Sequence, residues 1–220
     1  KVATLRNARG GNIPNLLEVT KDLQRFGAQG ITIHPRPDQR HIRYEDAFAL
    51  SEGLTKEFNI EGNPIPKFIE MVLDIKPDQV TLVPDGNDVL TSNAGWDTSK
   101  NIKFLTPIIK VFKDAGIRTS IFVDPDIEMI EGALNLGSDR IELYTEAYAT
   151  NYQKDPDKAI APYIAAANKA NEIGLGINAG HDLNLDNIAF FAKNIPGLLE
   201  VSIGHALMCE SLYLGFENVI

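Results

Sequence analysis

One cysteine, Cys209, stands in 220 residues, so no internal disulfide can form. That composition suits a reducing compartment and a cytoplasmic location. Cys209 follows Ala206-Leu207-Met208 and is expected as buried packing rather than as a nucleophile. No apolar run approaches the ~20 residues of a membrane-spanning helix, and no signal-peptide pattern is present. Basic residues are the scarcer charge, 21 against 30 acidic, for a net charge of −9. A general nucleic-acid binder, which needs a basic face, is thereby excluded. Small anions are not, because a local arginine cluster can oppose the global sign. No Gly-x-Gly-x-x-Gly follows an apolar run, so a dinucleotide fold has no support. No His-x-His or His-Glu-x-x-His spacing occurs, and no metal is expected. Lysine is missing from every strand-like run, which removes the usual origin of a Schiff base.

What is present is an alternation. Seven short runs rich in β-branched residues read as strands: Ile31–His34, Phe58–Ile60, Val80–Val83, Thr119–Val123, Arg140–Tyr144, Leu175–Asn178 and Leu199–Ile203. They show no sustained polar alternation and are expected to be buried on both faces. Between them lie segments of helical period. Leu16, Val19, Thr20, Leu23 and Phe26 share one face, and Gly27 follows as a stop. The same pattern recurs around Phe68–Ile75, Ile108–Ala115, Ile127–Leu134 and Ile160–Ala167. Helices alternating with strands predict a parallel sheet of right-handed βαβ units. A helix precedes the first run, so an eighth strand is expected upstream of Lys1. Residues 1–220 are then one (β/α)₈ TIM-barrel domain, with a doubly wound open sheet as the structural rival. Both ends of the chain read as trimmed. Arg6–Gly11 reads as a polar loop, and Asp85–Lys100 as a long active-site loop.

All four histidines stand at or just past the C-terminal ends of the strand-like runs, the edge where α/β proteins place their sites. His34-Pro35-Arg36-Pro37-Asp38-Gln39-Arg40-His41 is a proline-stiffened basic loop, in which Arg36 can hold a phosphate or carboxylate bidentately. Glu61 ends the second run, where partial desolvation would raise its pKa into the range of a general base. Glu142 lies within a strand. If Ile141 and Leu143 face the helices, it points into the barrel; the alternative is a buried salt bridge. The last two runs end in Asn178-Ala179-Gly180-His181 and Ile203-Gly204-His205-Ala206. Glycines beside helix starts at that corner suit an anion, and Arg6 and Arg9 are expected to add cations there.

These residues also carry a resemblance. Val2-Ala3-Thr4-Leu5-Arg6-Asn7-Ala8-Arg9-Gly10, Gly30–Arg36, Arg40-His41-Ile42, Asn178–His181 and Ile203–Ala206 resemble the pyridoxine 5′-phosphate synthase family. The resemblance implies a barrel that closes the pyridine ring of vitamin B6. It would condense 1-deoxy-D-xylulose 5-phosphate with 3-amino-2-oxopropyl phosphate, releasing phosphate and water without metal or organic cofactor. It implies His34 and Glu61 as proton acceptors, His181 as proton donor and Glu142 as transition-state support. Arg36, His41 and Thr91 would hold the deoxyxylulose phosphate. Arg9, the backbone at Asp182, and Gly204 with His205 would hold the other substrate. A cytoplasmic homo-octamer is implied as well. Lys1 stands where many members carry histidine, and Asp182 where glycine is common. The alternatives from the residues are another phosphosugar enzyme of this fold, an epimerase or aldolase, and a non-catalytic phospho-ligand binder.

Overall fold

The structure, a computed structural model, describes residues 1–85 and 94–220. Each strand-like run forms a strand: β1 (Gly30–Ile33), β2 (Glu57–Gly62), β3 (Gln79–Leu82), β4 (Arg118–Val123), β5 (Arg140–Tyr144), β6 (Gly176–Gly180) and β7 (Leu198–Ser202). Helices α1 (Val2–Asn7) and α2 (Leu16–Phe26) precede β1, and α3 (Tyr44–Gly53) follows it. Then come α4 (Pro66–Ile75), α5 (Ile102–Asp114), α6 (Ile127–Asn135), α7 (Glu146–Tyr152) and α8 (Pro156–Glu172). The chain closes with α9 (Ile188–Asn194), α10 (His205–Leu214) and α11 (Phe216–Val219). No helix of the described residues is long and apolar enough to cross a membrane.

The strands lie in sequential order and every neighbouring pair is parallel. A doubly wound sheet reverses its order at a switch point; this one does not. It curls instead, until Thr32 Oγ1 of β1 stands 3.2 Å from Ser202 Oγ of β7. The result is a nearly closed barrel of the (β/α)₈ kind. Among the described residues no strand occupies the place between β7 and β1.

Local chemistry sets the element ends. Asn15 caps α2 by accepting from the N–H groups of Leu17 and Glu18, and Asp126 does the same for α6. Gly27, with φ of 129°, ends α2 in a conformation that side chains disfavour.

Three expectations are corrected. Only β2 to β6 are largely buried on both faces, while β1 exposes Gly30 and Thr32 and β7 buries none of its residues; and the strands do alternate, as Glu57-Phe58-Asn59-Ile60-Glu61 and Arg140-Ile141-Glu142-Leu143-Tyr144 show. The apolar set packs under the helices, and the polar set fills the lumen. Gln79 and Thr81 are as fully buried as Val80 and Leu82. Next, the stretch beginning before Arg6 is helical, not a loop, through Asn7. Its stability is tertiary, because Arg6 is buried and donates to Asp46 of α3 at 2.7 Å. Lastly, Cys209 is exposed. Helix α10, on which it rides, buries none of its residues.

The lumen is layered. At its floor Arg118 donates to Gln79 (2.8 Å) and to Glu57, and Gln79 reaches across to Glu200 (2.9 Å). Arg140 and Asn178 close the ring on Glu200, at 2.8 and 2.9 Å. Above it Thr81 donates to Asn59 (3.1 Å), and Asn59 to Thr32 (3.4 Å). The layer above opens to the cavity.

Candidate active site

At the C-terminal edge of the strands lies a cavity of about 520 Å³. His34, Arg36 and His41 enter it from the loop after β1, Glu61 from β2 and Glu142 from β5. His181 and Asp182 follow β6, and Gly204 with His205 open α10 after β7. Parallel strands bring these together because all of them end at the same edge. Arg9 is exposed and does not line the cavity. Arg6 is consumed by its pair with Asp46. The cations expected from this segment are therefore not delivered to the cavity; Lys1 lines it instead. Thr91 lies outside the described residues.

His34 is flanked by two carboxylates. Its Nδ1 is 3.9 Å from Glu61 Oε2 and its Nε2 is 3.9 Å from Asp85 Oδ2. Asp85 is buried and also stands 3.5 Å from Arg36 Nη1. The sequence marks Asp85 only as the start of a loop, yet its signal is that of Glu61, an acid at the C-terminal end of an apolar run: Glu61 is the next-to-last residue of β2 and Asp85 stands three residues past β3. Burial lowers the His34 pKa to about 4, although the Asp85 charge opposes the change. His41 is likewise lowered to about 4, by burial and then by Lys1 and the neighbouring cations. Both rings are neutral at pH 7 and able to accept a proton. Burial raises Glu61 to about 7; His181 opposes, while Asp85 and Glu200 reinforce.

Glu142 is 3% exposed, and its Oε2 has no hydrogen-bond partner. Burial and the charges of Glu61 and Glu200 push it well above the usual carboxylate range. A buried salt bridge, the alternative reading, is not found for it among the described residues. Its Oε1 instead fills the space a Cβ on Gly180 would need. That explains a glycine there: it makes room for the buried carboxyl group in the lumen.

His181 sits at φ 88°, and its N–H donates to Ser202 O at 3.2 Å. The ring meets Tyr144 edge-on, with centroids 5.3 Å apart. Asp182 Oδ2 lies 2.6 Å from His181 Nδ1, a contact not foreseen from sequence. Among the described residues no group of three His, Cys, Asp or Glu is placed to hold a metal. The arrangement can bind anions and move protons among two imidazoles and two carboxyl groups.

A family model described as "Pyridoxal phosphate biosynthesis protein PdxJ" matches residues 1–220. A pyridoxine 5′-phosphate synthase of Flavobacterium johnsoniae is 66% identical over the whole chain and 93% of its own length. Another, of Cytophaga hutchinsonii, is 62% identical over the whole chain and 92% of its own. Among solved structures, a 4-hydroxy-2-oxoglutarate/2-dehydro-3-deoxyphosphogluconate aldolase superposes with a TM-score of 0.63 at 17% identity. It is covered over 86% of its length, against 93% of this chain, and the likeness speaks for the fold alone.

Proposed function

The chain belongs to the PdxJ family of pyridoxal phosphate biosynthesis proteins, and on that premise we propose how its cavity makes pyridoxine 5′-phosphate. It is an enzyme of vitamin B6 biosynthesis. Its substrates are 1-deoxy-D-xylulose 5-phosphate and 3-amino-2-oxopropyl phosphate, and the products are pyridoxine 5′-phosphate, inorganic phosphate and water. The observation that carries the reading is the gathering of His34, Glu61, Glu142 and His181 in one cavity with Arg36 and the Gly204–His205 corner, with burial holding His34 low and both carboxyl groups high.

Two phosphorylated substrates need two anion sites. Arg36 and His41, with Thr91, hold the deoxyxylulose phosphate. Gly204, His205 and the backbone at Asp182 hold the other phosphate. Arg9 is exposed and reaches a substrate only if one extends to the cavity rim. Imine formation, dehydration and ring closure each move protons. His34 accepts them because burial keeps its ring neutral at pH 7, and Glu61, raised to about 7, accepts them in its ionised form, which is close to half of the population at that pH. His181 returns a proton to the departing oxygen. Glu142, neutral and with a free oxygen, donates a hydrogen bond to charge developing beside it. An epimerase or aldolase reading lacks support from the relatives, and a mere binder has no use for two buried acids.

The same reading takes residues 1–220 as one domain, the assembly as a homo-octamer and the location as cytoplasmic. The exposed Leu212 and Tyr213 of α10 offer apolar surface for such an assembly. Incubating the protein with both phosphates tests the reaction. Pyridoxine 5′-phosphate and inorganic phosphate should appear together, and neither should appear when one substrate is omitted. A folded protein that forms no product from the pair would refute the reading.

A further inference from the structure

Beyond β6 the backbone is held unusually tightly. His181 lies in the left-handed region, its N–H donates to Ser202 O, and its carbonyl accepts from the N–H of Leu183 at 2.7 Å. That last bond closes a three-residue turn centred on Asp182. The turn folds the Asp182 carboxylate back onto the neighbouring imidazole, Oδ2 to Nδ1 at 2.6 Å. The ring is braced on another side by Tyr144. An ionised carboxylate can only accept hydrogen bonds. Asp182 is ionised, since its bond to His181 holds it below the usual carboxylate range. The nitrogen 2.6 Å away therefore carries the hydrogen.

We propose that Asp182 is a positioning residue: it locks His181 as the Nδ1–H tautomer and leaves Nε2 as the nitrogen that exchanges protons in the cavity. This is the reverse of the tautomer that histidine favours in water, so it requires a partner at Nδ1. The inference rests on, and deepens, the reading of His181 as proton donor: when the ring is charged, the proton it can give is the one on Nε2. The other groups that act on His181 are Glu61 from β2, His34 after β1 and Tyr144 from β5; His205 of α10 acts on Asp182. Only Asp182 is within hydrogen-bond distance of Nδ1 among the contacts of the described residues.

The test uses the full chain labelled with ¹⁵N-histidine and a long-range ¹H–¹⁵N correlation spectrum, titrated from mildly acid to mildly alkaline pH. Loss of signals in His181→Gln assigns the ring. Neutral His181 should show a protonated Nδ1 and a bare Nε2, and Asp182→Gly should reverse the pattern. A bare Nδ1 in the unaltered protein overturns the proposal, and so does an unchanged pattern in Asp182→Gly. Kinetics give a second reading. Asp182→Gly should lower kcat and leave KM for both substrates nearly unchanged. Glycine keeps the backbone N–H at this position, so a raised KM with unchanged kcat would place the Asp182 carboxylate itself against a substrate and overturn its positioning role. If His181→Gln retained full turnover, the donor role would fail while the tautomer result stood, so the two failures are distinguishable.

Discussion

Glu61 shows how much of the chemistry resides in single residues. Its ordinary pKa of 4.5 becomes about 7 because burial disfavours the charged form. A carboxylic acid raised in the folded state contributes stability below pH 4.5 and loses it as pH rises through 7. The shift corresponds to about 3 kcal/mol of cost once the group is ionised. Glu61→Gln removes the ionisation and keeps the shape. It should reduce kcat on the order of 10²–10⁴-fold, the usual worth of a general base. It should also stabilise the protein by up to about 3 kcal/mol above pH 7, with the gain vanishing below pH 4.5. Urea unfolding of both proteins at alkaline and acid pH measures this. Undiminished turnover would remove Glu61 from the mechanism.

At the scale of elements, α1 is the instructive case. Six residues, Val2–Asn7, are too few to be helical on propensity alone. The helix is held by Arg6, which donates to Asp46 of α3 and to the carbonyl of His41. Asn7 donates to the same His41 carbonyl at 2.8 Å. A segment that reads as an anion-binding loop is thus the clamp that holds the His41 loop in place. Arg6→Met should cost about 3 kcal/mol, since it leaves Asp46 half-buried without its cation. It should raise KM for the deoxyxylulose phosphate, because His41 loses its backbone anchor. Denaturant midpoints and steady-state kinetics check the two effects together. A stability loss without a change in KM would separate the clamp from the site.

For the whole molecule, the barrel divides its labour along its axis. The floor ring of Gln79, Arg118, Arg140, Asn178 and Glu200 is hydrogen-bonded within itself, and the charge of Glu200 is what it adds to Glu61 and Glu142 at the mouth. Gln79 is fully buried and bonds Arg118, Asn178 and Glu200 from three strands. Gln79→Leu takes one hydrogen bond from each of three buried or half-buried partners and should cost about 2–4 kcal/mol. The urea midpoint should fall with the slope unchanged. The KM values of the folded fraction should stay near those of the unaltered protein, since the floor lies at the opposite end of the barrel from the mouth where substrates are held.

The sequence alone determined the elements that repeat and the edge where chemistry collects. Strand-like runs of three to five residues, a helical period and glycine stops are local properties, and all seven runs became strands. The histidines and Glu61 stood at strand ends in the chain itself, so parallel topology had to bring them to one edge. Short helices were not legible, because α1, α3, α7 and α9 are held by tertiary partners rather than by a strong apolar stripe. Only the tertiary structure decided which polar residues meet. It took Arg6 from the anion corner and gave it to Asp46, and it left Arg9 at the surface. It set Asp85 between His34 and Arg36, folded Asp182 onto His181, and buried Glu142 beside the charges of Glu61 and Glu200, which push it well above the usual carboxylate range. Charge pairing depends on distances of a few ångströms between residues far apart in the chain, and on how much water burial removes. Neither quantity is written in residue order.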